Sequence, residues 1–247
     1  MALKTITQES TERICCLVIG RYGMGKTCLI RTVLGQSFID GEWVQKQETV
    51  DKVCVLSAES GLLGLRDLIK NGLIEGFEIG SLADFKEAYQ LLSNTPEMQE
   101  RYQWIFIDSL SEISQRCDAV MREKYPDAAK TFKRWDDYSD TMINTIKKFR
   151  DLKQYNVVFT CLETIEKDEI GRRFFAPDVI GRGLKERLPS FFDEVFYLTS
   201  TKDEEGKPQR IIYTQPINEY PAKDRSGKLD PIIWPDLLRI KQKIFHD

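Results

Sequence analysis

The chain alternates between short, almost wholly apolar runs and longer segments in which apolar residues recur every three to four positions. That alternation predicts an α/β protein with a mainly parallel central sheet flanked by helices. Residues 14–19, 53–57, 104–107 and 156–161 read as strands buried on both faces, and 77–79 as a short one. Helical periods cover 26–34, 63–70, a segment capped by Asp84 and running to residue 92, and 112–124. Phe132, Trp135, Tyr138, Met142, Ile146 and Phe149 mark one face of a long amphipathic helix. Two stretches, 35–49 and 162–190, show no convincing period and read as loops, the second long enough to be functional and mobile. Toward the end, 195–199 and 210–214 form a hairpin, and Pro235-Asp236 opens a final helix. The expected organisation is one domain over 1–247, with an N-terminal extension at 1–13.

Composition narrows the chemistry. The 247 residues carry 36 Lys+Arg against 39 Asp+Glu, a net charge of −3, and a single histidine, His246. A histidine-based triad or a His-rich zinc site is thereby excluded unless the extreme C-terminus folds back. Weak net acidity means that a nucleic-acid site must be a local patch. The six cysteines (Cys15, Cys16, Cys28, Cys54, Cys117 and Cys161) form no C-x-x-C pair, which fits a reducing compartment. No apolar run approaches membrane-spanning length, and 1–13 lacks a signal-peptide core, so a cytoplasmic location with no membrane partner is expected.

The most specific signal is Gly20-Arg21-Tyr22-Gly23-Met24-Gly25-Lys26-Thr27, a full G-x-x-x-x-G-K-[ST] match between a predicted strand and a predicted helix. The chemistry needs these residue types. Gly20 and Gly25 let the backbone wrap a phosphate, and successive N–H groups through Cys28 form an anion cradle. Lys26 reaches the β and γ phosphates of ATP, and the Thr27 hydroxyl is a ligand for Mg²⁺. Such a loop calls for an acid on the metal side at the end of a neighbouring strand, and Asp108 closes the run Ile105-Phe106-Ile107. Hydrolysis also needs a carboxylate to orient water. Glu59 directly follows the second strand, at the sheet edge where ligands gather. Glu112 competes with it, though helical spacing from Asp108 disfavours that choice.

Taken in order, Gly20 to Thr27, Val53-Cys54-Val55-Leu56-Ser57-Ala58-Glu59 and Ile107-Asp108-Ser109-Leu110 resemble the RecA-like P-loop ATPase core. That resemblance implies a RecA-like NTPase fold with a C-terminal β-hairpin and helix, Glu59 as catalytic carboxylate and Asp108 as metal-side acid. Ala222-Lys223-Asp224-Arg225-Ser226-Gly227 resembles the K-x-R-x-G segment of hexameric RecA-like helicases. The resemblance implies that Lys223 and Arg225 act on the γ-phosphate of an adjacent subunit, hence a homo-oligomer, ring or filament. Together with Trp135-Asp136-Asp137-Tyr138 the set looks like the phage-encoded RecA-like ATPases of the Sak-four single-strand annealing type. The expected role is then recombination or annealing on single-stranded DNA in a host cytoplasm, beside a single-strand-binding protein. The alternative is a P-loop NTPase acting on a protein partner, such as a helicase loader, packaging or defence component. One position departs from the family: after the fifth strand the chain reads Phe159-Thr160-Cys161-Leu162-Glu163 rather than presenting Asn or Gln, leaving Thr160 as the candidate phosphate donor.

A nucleic-acid strand is expected on the loop at 162–190. Between Arg172 and Arg187 lie five cations (Arg172, Arg173, Arg182, Lys185 and Arg187) and two acids, Asp178 and Glu186, a local charge of +3. Cations beside Phe174 and Phe175 suit the phosphates and unstacked bases of a single strand.

Overall fold

The computed structural model describes residues 12–49, 51–59, 61–127, 131–217 and 219–246. Most of the expected extension at 1–13 therefore lies outside the described residues.

The first half contains β1 (Cys15–Gly20), α1 (Leu29–Val33), β2 (Gln36–Ile39), β3 (Glu42–Gln45), β4 (Val53–Ser57), α2 (Arg66–Lys70), β5 (Ile74–Glu78), α3 (Leu82–Asn94) and α4 (Pro96–Arg101). Then come β6 (Trp104–Asp108), α5 (Leu110–Lys124), α6 (Thr131–Arg150), β7 (Asn156–Lys167), β8 (Arg173–Pro177) and α7 (Arg182–Arg187). The chain closes with β9 (Glu194–Lys202), β10 (Pro208–Tyr213), β11 (Lys223–Asp224), β12 (Ile232–Ile233) and α8 (Leu237–His246). A ten-stranded sheet runs in the order β12-β10-β9-β1-β7-β6-β4-β5, with β8 on β7 and β11 on β9. From β5 to β9 the neighbours are parallel, whereas β10, β11 and β12 pair antiparallel.

Strand alternation divides the core into two layers. Cys15, Leu17 and Ile19 of β1, with Ile105 and Ile107 of β6, face a cluster built with α3, α5 and α6. Cys16 and Val18, with Trp104 and Phe106, face the other cluster, built with α1, α2 and α8. A sheet covered on both faces explains why its central strands read as unbroken apolar runs. Every residue of β1, β4 and β6 is buried.

Four expectations change. Residues 35–49 hold a β2–β3 hairpin rather than a loop, turning at Asp40 (φ 50°) and Gly41 (φ 90°), a pair suited to a two-residue turn with both φ positive. The third sheet strand is Ile74–Glu78, starting before the expected 77–79 because Glu75 and Gly76 pair with β4 despite their polarity. Ser81, not Asp84, caps α3; Asp84 sits three residues on and completes a capping box with it. Residues 162–190 are structured: β7 continues to Lys167, turns where Asp168 accepts N–H bonds from Ile170 and Arg172, and returns as β8 before α7.

Candidate nucleotide site

The site stands where the parallel strands end. β1 brings the chain to Gly20, and a Cβ there would lie 2.5 Å from the Leu198 carbonyl oxygen on β9, so this position has no room for a side chain. Gly23 (φ 76°) and Gly25 (φ 93°) then turn the loop through the left-handed region. Lys26 lies back along the loop it follows, Nζ donating to the carbonyl oxygens of Gly20 at 2.8 Å and Arg21 at 3.0 Å. Burial lowers its pKa, opposed chiefly by the negative charge of Asp108. The expected helix at 26–34 begins as tight turns, with N–H groups of Leu29, Ile30 and Arg31 bonding three residues back, and becomes α-helical only at Leu29.

Opposite the loop, β6 ends in the buried Asp108. Thr27 Oγ1 donates to Asp108 Oδ2 at 2.7 Å, and Thr160 Oγ1 donates to Oδ1 at 2.5 Å. The two side chains expected on the metal side therefore meet, although they stand 81 positions apart in sequence. A hydroxyl and a carboxylate are hard oxygen donors that fit Mg²⁺. Among the described residues no cluster of three or more His, Cys, Asp or Glu forms a protein-only metal cage. Thr160 is fully buried and bonded to Asp108, so it orients the acid rather than offering a donor to phosphate. Glu163 is likewise engaged, accepting the Tyr197 hydroxyl.

Glu59 reaches the same place from β4. Ala58 N–H donates to the Asp108 carbonyl oxygen at 2.7 Å, locking the ends of β4 and β6 together, and the Ser109 hydroxyl donates to the Glu59 carboxylate. Glu112 is occupied elsewhere, accepting Arg116 Nε at 3.2 Å. The same guanidinium donates to the carbonyl oxygens of Ala58 (2.7 Å) and Ile79 (2.8 Å), tying the turns that leave β4 and β5 to α5. The sequence pattern points to neither Ser109 nor Arg116: the one local sign of Ser109 is its place after Asp108, and nothing local marks Arg116.

The profile of a family described as an AAA domain matches residues 12–226, most of the chain and all of the elements above up to β11. The chain belongs to that family. It is an AAA-type P-loop ATPase domain, and Gly20–Thr27 carries its G-x-x-x-x-G-K-[ST] pattern. No curated protein matches it in sequence. Among solved structures it is similar to the flagellar accessory protein FlaH from Methanocaldococcus jannaschii, at 13% identity and a TM-score of 0.46, covering 89% of this chain and 83% of that one.

The remaining expected residues of this AAA domain divide between the loop itself and the far end of the sheet. Arg21 and Tyr22 are exposed at the loop tip, the guanidinium over the ring, while Met24 and Cys28 are half-buried. Lys223 and Asp224 pair with Val195 and Glu194 at the start of β9, whereas the P-loop faces Leu198, farther along that strand. There Lys223 Nζ donates to the Phe192 carbonyl oxygen at 2.5 Å and Arg225 pairs with Asp193 at 2.5 Å. They stand at the entry end of the parallel strands, away from the P-loop at the exit end.

The basic segment is less basic in three dimensions than in sequence. Arg172 pairs with Asp168, Arg182 with Glu186 and Lys185 with Glu166. Residues 162–187 carry six cations and six acids, because Glu163, Glu166, Asp168 and Glu169 on the outgoing strand and turn offset the returning arginines. Arg173 and Arg187 make no ion pair among the described residues. Phe175 stacks on Tyr220 with centroids 4.6 Å apart, so it belongs to the packed body.

Proposed function

We propose that the protein hydrolyses ATP with magnesium and couples turnover to single-stranded DNA, as an oligomer. One observation carries the hydrolytic reading: Glu59, held by Ser109, stands beside an Asp108–Thr27 pair at the mouth of a P-loop. In that arrangement Lys26 leaves the carbonyl oxygens of Gly20 and Arg21 for the phosphates, and the loop N–H groups take the remaining charge. Thr27 and Asp108 would hold magnesium, which when bound neutralises charge between the β and γ phosphates. Glu59 orients the attacking water and accepts its proton.

Support for DNA is the exposed Arg173 and Arg187 on the β8–α7 segment, and the resemblance to annealing ATPases. A specific observation favours a protein partner as the second reading. The β7–β8 hairpin, with three cations against four acids over 162–177, exposes Ile165 (56%) and Ile170 (74%), apolar side chains that a nucleic acid has little use for. Phosphate release measured with and without single-stranded DNA tests the choice. DNA stimulation that falls with salt and with Arg173→Ala supports the first reading. A rate indifferent to DNA but lost in Glu59→Gln leaves ATP hydrolysis standing and shifts the partner to protein. No Glu59-dependent hydrolysis under any condition refutes the proposal.

A further inference from the structure

Arg210 lies on β10, opposite Ser200 of β9, at the point where the hairpin passes the P-loop. Alternation puts it on the same sheet face as Ile212, which packs into the cluster shared by α1 and Met24 of the loop. Its guanidinium fills the space beside Gly25. A Cβ on that glycine would stand 2.8 Å from Nη1 and 3.2 Å from Cζ, so Gly25 is a glycine for this contact as well as for its φ. The Phe38 ring of the β2–β3 hairpin supports the guanidinium from another side, 5.6 Å from centroid to Cζ. Arg210 is half-buried, yet among the described residues its five donors make no hydrogen bond and no ion pair. Its nitrogens reach solvent rather than a protein partner, and a guanidinium held beside the backbone of an anion cradle is placed to take an anionic ligand.

We propose that Arg210 contacts the phosphate chain of the bound nucleotide in its own chain, from the β9–β10 side, across the loop from Asp108 and Glu59. The inference rests on the nucleotide site proposed above and adds a residue to it. Its planar fork matches two phosphate oxygens, a geometry lysine does not supply. Phe38 and the β2–β3 hairpin hold the side chain ready, so ligand binding need not order it.

Calorimetric titration with magnesium tripolyphosphate and with magnesium ATP tests this on wild type, Arg210→Ala, Arg210→Gln and Arg210→Lys. Arg210→Ala should weaken both ligands about ten- to a hundredfold, the size of a charge-assisted hydrogen bond. Arg210→Lys should fall between it and wild type. Arg210→Gln keeps the stem against Phe38 while removing the charge, so it serves if the alanine variant unfolds, and it should lose as much. Tripolyphosphate binding within twofold of wild type in the uncharged variants overturns the proposal, as does a loss confined to ATP, which would put Arg210 on the base or sugar. If wild type binds neither ligand, the nucleotide site itself fails; if wild type binds and Lys26→Ala does not, that site stands whatever Arg210 does.

Discussion

Glu59 is exposed, but the Ser109 hydroxyl restrains its carboxylate and the Ala58–Asp108 backbone bond restrains its backbone. We predict that Glu59→Gln retains ATP binding and lowers turnover by ~10²–10⁴, the usual worth of a positioned general base. Ser109→Ala should fall between that variant and wild type, since the base remains but wanders. Single-turnover hydrolysis reads both, and a Ser109→Ala rate equal to wild type would show that the hydroxyl has no part in holding the base. A second residue gives a pH signature. Burial, with Asp224 nearby, pushes the Glu194 carboxyl up to about 8, and one of its oxygens is buried without a hydrogen-bond partner. Because the folded protein keeps this proton while the unfolded chain releases it, Glu194 makes stability fall as pH rises from about 4.5 to 8. Glu194→Gln should remove that component, so melting temperature measured from pH 5 to 8.5 should favour the variant progressively toward alkaline pH. Parallel curves for the two proteins would contradict it.

At the scale of elements, α5 does more than cover the sheet. It starts at the Ser109 cap directly after Asp108, and two turns on it presents Arg116 to the ends of β4 and β5. We predict that Arg116→Ala lowers kcat about tenfold or more with KM little changed, because misplacing a reacting group costs rate rather than ground-state binding. A change in KM alone would assign Arg116 to binding instead. Legibility from sequence also divides by element. β1, β4 and β6 were plain because both their faces are buried, which leaves only apolar residues. The β2–β3 and β7–β8 hairpins were hidden because their patterns are mixed and half-exposed, with burial confined to the end of β8 and so no apolar alternation along either pair. Asp40-Gly41 was the one local sign of the first.

Across the whole molecule, the sheet separates two ends with different charge logic. The exit end of the parallel strands holds the P-loop, Asp108, Glu59 and Arg210. The entry end holds Lys223 and Arg225, and there Arg225, Asp193 and Glu194 line a cavity of about 400 Å³. Those two cations meet a nucleotide only if a second copy brings its P-loop to them. We predict that hydrolysis per chain rises with protein concentration, and that Arg225→Ala abolishes the rise while leaving ATP binding intact. Sedimentation paired with rate measurements checks this; a rate independent of concentration would leave Arg225 a surface ion pair with Asp193.

The P-loop pattern, its strand and the α/β class are legible in the chain alone, and so are the positions of Asp108 and Glu59 at strand ends, because each rests on local backbone geometry or on burial of a contiguous run. Which side chains stand together follows from the folding of distant segments onto one another. Thr27 meets Asp108, Ser109 meets Glu59 and Arg210 meets Gly25 across separations that no local pattern encodes. Tertiary structure also decided that Asp168 answers Arg172, Glu166 answers Lys185 and Glu186 answers Arg182, which leaves Arg173 and Arg187 as the unpaired cations of 172–187 among the described residues. Net charge along a segment adds by position in the chain, whereas fields and ion pairs follow distance in space.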